Sequence, residues 1–368
     1  MIATYISPPA SPADRGHRFG THLRDQVRHT VETYMRLFEV IPRIPRDQIG
    51  SLGAKAAAWL RARHPALADE IQAIAEGADV SPDLLFAINA RTELLSGTAS
   101  PECTVVGVTP TISAGGHVLL AQNWDWHPDA ADSRIVWHVQ AGDGAWFTTF
   151  TEAGLIGKIG LSSHGLGVAL NILGTTRDGG VGGLPVHVAC RLLLEDCTNL
   201  STAVHLLMNS PFAASTCFNL GYADDHGGSL ASVEVSPGGA QYLAPSDGRL
   251  LHTNHFLNGP LGATDSYIRE WPDTLTRLGH VAELAQALTP PVRLHDLGEL
   301  LKSHHGGKTA VCAHDFENPE YARRQGTLAS VQIDVTGRML WVSDGPPCVN
   351  ALYDPFAAEA GIPAERAS

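Results

Sequence analysis

The stretch SPECTVVGV, Ser100 to Val108, decides how the chain is read. Before it, from Gly16 to Leu95, the texture is helical: Leu23, Val27, Val31, Tyr34 and Phe38 recur at three- and four-residue steps. Ser81 is placed as an N-cap with Pro82 at the first helical position of SPDLLFAINARTELL. After the small, turn-forming residues of SGTASPE, the runs CTVVGVT, HVLLAQN, RIVWHVQA, AWFTTFT, LIGKIGL and LGVALNIL read as strands joined by Gly-rich turns. A β-like run that opens at a cysteine directly behind a turn-rich loop is the feature to be explained.

Such short connections predict antiparallel pairing, because parallel neighbours need a long crossover. A helical pair, PVHVACRLLLEDC and LSTAVHLLMN, comes next. Strands TCFNLGYAD, SLASVEVS and LLHTN follow, then helix from about Thr264 to Ser303, and the hairpin LASVQIDVTGRMLWVSDG closes the chain. Helical blocks around antiparallel strands predict an α+β layered fold. The apolar stripes of the N-terminal helices need a surface to cover and the sheet supplies it, so a single integrated domain is expected, with its exposed break near Gly97–Glu102.

With 38 acidic against 25 basic residues and a formal charge of −13, the chain is unsuited to a phosphate backbone, whose binding rests on Lys and Arg. No apolar run reaches the ~18 residues of a membrane span. The N-terminus MIATYISPPASPADRGHRFG lacks a basic head and apolar core, and the C-terminal PAERAS lacks a Ser-Lys-Leu address. No nucleic-acid or membrane partner and a cytoplasmic protein are therefore expected. The six cysteines, Cys103, Cys190, Cys197, Cys217, Cys312 and Cys348, include no C-x-x-C pair. Their spacing predicts neither a disulfide scaffold nor a structural zinc site. Cys190 and Cys197 lie in an apolar helical pattern and read as core. Among the 18 histidines, His252-x-x-His255 and His304-His305 are the candidate ligands. The first pair sits at a predicted strand end rather than on a helix face, so no metal and no cofactor are expected.

A thiol becomes a nucleophile when a base takes its proton, and the residue's own α-amine can be that base. The two groups are closely matched, at about 7.7–8.0 for the amine and about 8.5 for the thiol. The condition is that Cys103 become an N-terminus by cleavage of the Glu102–Cys103 bond. A loop feeding a rigid strand suits this, since the strand fixes the nucleophile.

The blocks ECTVVGV, AQNWDW, TFTEAGLIGKIGLSSHGLGVALN and HTNHF, preceded by AIAEGADVSPDLLFAINARTELL, strongly resemble the penicillin acyl-coenzyme A acyltransferase family of N-terminal nucleophile hydrolases, in order and from about residue 16 to 345. The resemblance implies a four-layer αββα sandwich. It also implies a precursor that cuts itself before Cys103 into a small chain, 1–102, and a large chain, 103–368, which stay together as a heterodimer, with higher oligomers left open. Cys103 matches the nucleophile, acting first on the Glu102 carbonyl and then on substrate. Asp125 in NWDW matches the acid that holds the freed amine, and Asn254 in HTNH the side-chain donor to the oxyanion. Asn171 in VALN sits where the wider superfamily, bile-salt hydrolases included, places a second asparagine whose backbone N–H completes that hole. The chemistry agrees: an amide donates without adding charge, and a carboxylate beside an amine favours its protonated form. Trp124, Trp126 and Phe147 are candidate walls of an acyl pocket.

Two positions depart from the family pattern. Glu102 stands where glycine is common, making the scissile loop bulkier and negative. Ala313 follows Cys312 where relatives often carry arginine, which points to a substrate lacking the carboxylate a guanidinium would grip. The expected reaction is hydrolysis of a small non-peptide N-acyl amide through an acyl-enzyme on Cys103, because no basic site for coenzyme A phosphates is legible. Acyl transfer from coenzyme A to an amine is the alternative. An uncleaved, non-catalytic binder of a small ligand is the alternative of a different class, and a metallohydrolase a third.

Overall fold

The computed structural model describes residues 1–96, 102–307 and 310–357, and of Glu102 the backbone alone. The expected break at Gly97–Glu102 therefore lies outside the described residues except for that backbone, as does the Glu102 side chain.

The chain opens with strand β1 (Ala3–Ser7), followed by helices α1 (Pro12–His22), α2 (Arg24–Val40), α3 (Arg46–Arg63), α4 (Pro65–Ala78), α5 (Pro82–Asn89) and α6 (Arg91–Leu95). The predicted helical stripe is real: Leu23, Val27, Val31, Tyr34 and Phe38 are all buried. It is carried by two helices rather than one, because Leu23 leaves helical geometry at φ −106° and caps both. The strand β1 lies ahead of the region read as helical, Gly16–Leu95. It pairs in parallel with a strand more than 120 residues on, Ala3 opposite Ile135, so nothing local announces it.

Six strands follow: β2 (Glu102–Val108), β3 (Leu119–Trp126), β4 (Arg134–Gln140), β5 (Trp146–Glu152), β6 (Ile159–Ser162) and β7 (Leu166–Ile172). Then come α7 (Val186–Asp196), α8 (Leu200–Asn209), β8 (Thr216–Asp224), β9 (Gly227–Ser236), β10 (Gly239–Leu243) and β11 (Arg249–His252). Helices α9 (Tyr267–Glu270), α10 (Asp273–Ala287) and α11 (Leu294–Leu300) precede β12 (His314–Asp315), β13 (Gln325–Asp334), β14 (Met339–Ser343) and β15 (Leu352–Tyr353). The order β1-β4-β5-β6-β7-β8-β9-β10 makes an eight-stranded sheet, and β11-β2-β3-β13-β14-β15, with β12 on β13, a seven-stranded one. Apart from β1 with β4, these neighbours are antiparallel, as the short connections predict.

Strand alternation separates the layers. On β2, Cys103, Val105 and Gly107 face the other sheet, where a Cβ on Gly107 would lie 3.1 Å from the Leu230 side chain. Val106 and Val108 face the opposite way and join Leu119, Ala121, Val281 and Leu297 in a separate cluster under α10 and α11. On the far side, Trp137 of β4 packs on Phe19 of α1, ring centroids 4.4 Å apart. Helices, sheet, sheet and helices thus form an αββα sandwich. Because both faces of each sheet are covered, β3 is buried at every position.

The N-terminal helices share one contiguous core with the sheets, Phe19, Phe38 and Phe86 clustering with Trp137, Phe150 and Leu193. Buried ions reinforce the joint. Glu70 of α4 binds Arg15 at 2.6 Å and Arg191 of α7 at 2.8 Å. Glu152 of β5 binds Arg91 at 3.2 Å, Lys158 at 2.8 Å and the Tyr34 hydroxyl at 2.5 Å. Among the described residues no helix is long and apolar enough to cross a membrane.

Candidate active site

Strand β2 lies between β11 and β3, and its second residue is Cys103, only 5% exposed. The Cys103 backbone is clamped on both sides. Its N–H donates to Asn254 Oδ1 at 2.8 Å, and its carbonyl accepts from Asn171 Nδ2 at 2.9 Å and Arg277 Nη1 at 3.0 Å. Arg277 Nη2 also donates to Asn254 Oδ1, at 2.9 Å, while Asn254 Nδ2 donates to the Ile172 carbonyl at 2.9 Å. This fixes the Asn254 amide, since a flip would set its NH2 against two donors. Both expected asparagines therefore reach Cys103, but through different atoms from those the resemblance implies: Asn254 accepts, and Asn171 uses its side chain. Asn171 is itself held by Asn219 Nδ2 at 2.8 Å, and Asn219 by the Ser232 hydroxyl at 2.7 Å.

Asp125 sits near the end of β3, opposite Thr327 across a bulge in β13. Its Oδ1 accepts from Thr327 Oγ1 at 2.5 Å, while Oδ2 is buried with no hydrogen-bond partner among the described residues. The Ala313 N–H donates to Thr327 Oγ1 at 2.9 Å, leaving the hydroxyl proton for Asp125. Burial pushes the Asp125 carboxyl up to about 7, opposed by the Thr327 bond and the Arg277 charge. The Cys103 thiol is pushed up to about 11 by burial and then by the Asp125 charge, against the Asp125 backbone N–H bonded to it. While its nitrogen is an amide, the thiol is thus protonated at neutral pH. Its activation requires a nearby base.

A narrow cavity of about 30 Å³ adjoins Cys103 and Asp125 and is lined by Arg91, Gln122, Trp124, Trp126, Lys158 and Tyr267, among others. Of the three expected aromatics, Trp124 and Trp126 line it. Phe147 does not: alternation along β5 turns it to the outer face, under the Arg191 guanidinium at 4.6 Å. Phe150, three residues on, faces Trp124 instead, with centroids 5.6 Å apart. The Lys158 ammonium lies 3.2 Å from the Trp124 ring centroid, and burial pushes it down to about 7, with Glu152 opposing. Gln122 bonds both the carbonyl and the N–H of Leu170, at 2.7 and 3.0 Å, tying the two sheets beneath the cavity.

Three participants were not singled out from the sequence. Arg277 interrupts the buried face of α10 formed by Thr274, Val281 and Ala285, and Lys158 stands alone in the apolar LIGKIGL. A lone cation in an apolar pattern was the available signal for both. Thr327 had none. The His252-x-x-His255 pair does not converge: His252 Nε2 meets Glu234 at 3.0 Å and His255 Nδ1 meets Thr274 Oγ1 at 3.1 Å.

Residues 113–347 match the family described as acyl-coenzyme A:6-aminopenicillanic acid acyl-transferase. The chain belongs to that family. Asp125, Asn171 and Asn254 fall within the matched region, and Cys103 precedes it. The 40 kDa form of acyl-coenzyme A:6-aminopenicillanic-acid-acyltransferase from Emericella nidulans is 25% identical over 349 residues, 93% of each chain. Of solved structures, penicillin V acylase from Agrobacterium tumefaciens matches 68% of this chain and 86% of its own, at 15% identity and a TM-score of 0.43. A mutant conjugated bile acid hydrolase from Clostridium perfringens matches 65% and 89%, at 12% identity and a TM-score of 0.34. The chain is accordingly a member of a family of acyl-transferring enzymes.

Proposed function

We propose that the chain is a self-cleaving cysteine amidase whose nucleophile is Cys103. The observation that carries this reading is the clamp on the Cys103 backbone by Asn254, Asn171 and Arg277, beside a cavity walled by Trp124 and Trp126. It holds the Cys103 backbone on both sides while the same residue lines the cavity.

In the precursor, the thiol adds to the Glu102 carbonyl, the C–N bond breaks, and the thiol proton passes to the departing nitrogen, giving a thioester and a free α-amine. Water then hydrolyses the thioester, restoring the S–H and releasing residues 1–102 as a carboxylate-ended chain. In turnover, the new α-amine takes the thiol proton, and the thiolate attacks a small N-acyl amide. The ammonium returns its proton to the leaving amine, and water deacylates Cys103. Asp125 stabilises the ammonium. Asn171 and Asn254 hold the nucleophile and supply amide dipoles near the developing oxyanion.

Hydrolysis is favoured over use of coenzyme A by one feature. The cations that line the cavity among the described residues, Arg91 and Lys158, share Glu152 as partner and are already paired. The name of the Emericella relative gives the second reading, transfer of an acyl group from coenzyme A to 6-aminopenicillanic acid. The test is intact-mass measurement, followed by a screen of N-acyl amides and β-lactam amines with and without an acyl thioester. Fragments 1–102 and 103–368 with thioester-independent turnover are expected. A permanently single chain with an unreactive Cys103 points to the non-catalytic binder, and turnover surviving Cys103→Ala to a metallohydrolase.

A further inference from the structure

We propose that the fold assembles a structural zinc site from His304, Cys312, His314 and Cys348. The four side chains come from three separate places: the segment after α11, the start of β12, and the segment between β14 and β15. One ligand atom from each lies within 4.8 Å of all the others. His314 Nε2 is 3.4 Å from both Cys312 Sγ and Cys348 Sγ. In a tetrahedral site with Zn–S of about 2.3 Å and Zn–N of about 2.0–2.1 Å, sulfur and nitrogen ligands stand about 3.6 Å apart. Cys312, His314 and Cys348 are thus already close to coordination spacing. The His304 ring closes the set, its centroid 5.0 Å from that of His314.

The donor chemistry selects the ion. Two thiolates and two imidazoles in a tetrahedral arrangement suit zinc and offer no oxygen to magnesium or calcium. Four protein ligands leave no open position, which is the mark of a structural rather than a catalytic site. On binding, two S–H bonds break, two Zn–S bonds form, and two protons leave to solvent. Zn²⁺ and two thiolates leave the half-buried cluster neutral, and exposed His304 provides the way in.

The site also has a place in the enzyme. Ala313, between two of the ligands, binds Thr327 twice, its N–H donating to Oγ1 at 2.9 Å and its carbonyl accepting from the Thr327 N–H at 3.0 Å. Thr327 in turn holds Asp125. Zinc would therefore act as a positioning brace for the carboxylate beside Cys103, without touching substrate. The spacing rules missed the set because Cys348 lies beyond the β13–β14 hairpin and no C-x-x-C pair exists.

The experiment uses the full chain. Protein produced with added zinc and desalted should carry about one zinc per chain by plasma mass spectrometry. Cys103→Ala should keep it, and Cys348→Ser and His304→Ala should each weaken binding more than tenfold. Metal-stripped wild type titrated with cobalt(II) should show tetrahedral d–d absorption and thiolate-to-cobalt charge transfer, which decides the matter even if a variant fails to fold. Wild type that takes up no zinc, or a Cys312–Cys348 disulfide in freshly purified protein, would overturn the proposal. So would zinc held equally well by Cys348→Ser. None of these readouts depends on turnover, so the site and the amidase reading stand or fall separately.

Discussion

Replacing Thr327 by valine tests the polar relay behind the nucleophile. The side chain is fully buried, and its hydroxyl donates to Asp125 Oδ1 at 2.5 Å, while Oδ2 has no donor among the described residues. Valine keeps the shape and removes the donor. A hydrogen bond to a charged group contributes about 1.5–3 kcal/mol, against about 1 kcal/mol for a neutral one. The sign follows from linkage. The Asp125 carboxyl is already raised to about 7, and losing a bond to its ionised form raises it further. Stability tied to the protonated carboxyl is present at low pH and lost as pH rises through the folded value. The variant should therefore lose about 1 kcal/mol at pH 5, where Asp125 is protonated in both proteins, and about 1.5–3 kcal/mol at pH 9, where a carboxylate is buried without a partner. Urea unfolding in the Cys103→Ala background, a single chain throughout, measures this. In the processed enzyme, the rising limb of kcat/KM against pH should move up by about 0.4–1.5 pH units, because the two losses differ by about 0.5–2 kcal/mol and each unit is about 1.36 kcal/mol. Thr327→Ser, which keeps the hydroxyl, should restore the limb. An equal loss of stability at both pH values with an unmoved limb would refute the relay.

Cys103→Ala should remain one chain and show no turnover, whereas Cys103→Ser should retain some of each activity, both read by intact mass and product formation. Arg277→Met removes donors to the Cys103 carbonyl and to Asn254 Oδ1. It should slow self-cleavage about 100-fold through misplacement of the nucleophile, seen in a mass time course, and Arg277→Lys should rescue little because the fork is lost. Glu70→Gln leaves Arg15 and Arg191 without their shared buried carboxylate. It should cost about 3–5 kcal/mol in urea unfolding and loosen the small chain from the large one after cleavage, as checked by gel filtration.

Much of the fold was legible locally. The strand runs from Cys103 to Ile172 and the helices at Val186–Asp196 and Leu200–Asn209 carry their periodicity in a few neighbouring residues, so reading them needs no partner. Strand β1 was not legible, since its pairing with β4 is its reason to be a strand. In the site, Trp124 and Trp126 could be named from QNWDW, but Phe147 and Phe150 could not be told apart. Both are aromatic positions in one strand, and which face is inner depends on where α7 packs. The lone cations Lys158 and Arg277 were visible as anomalies, but what they face was not.

The sequence by itself determined that a cysteine opens a strand behind a turn-rich loop, and that asparagines and an aspartate follow at strand ends. These are properties of single residues and short periods, written where they act. The tertiary structure alone decided that Asn254 accepts from Cys103 rather than donating, that Thr327 and Ala313 stand behind Asp125, and that four ligand atoms from three segments meet within 4.8 Å. Such relations depend on sheet register and layer packing. They arise between residues up to about 200 positions apart, and no local pattern encodes which distant atoms will meet.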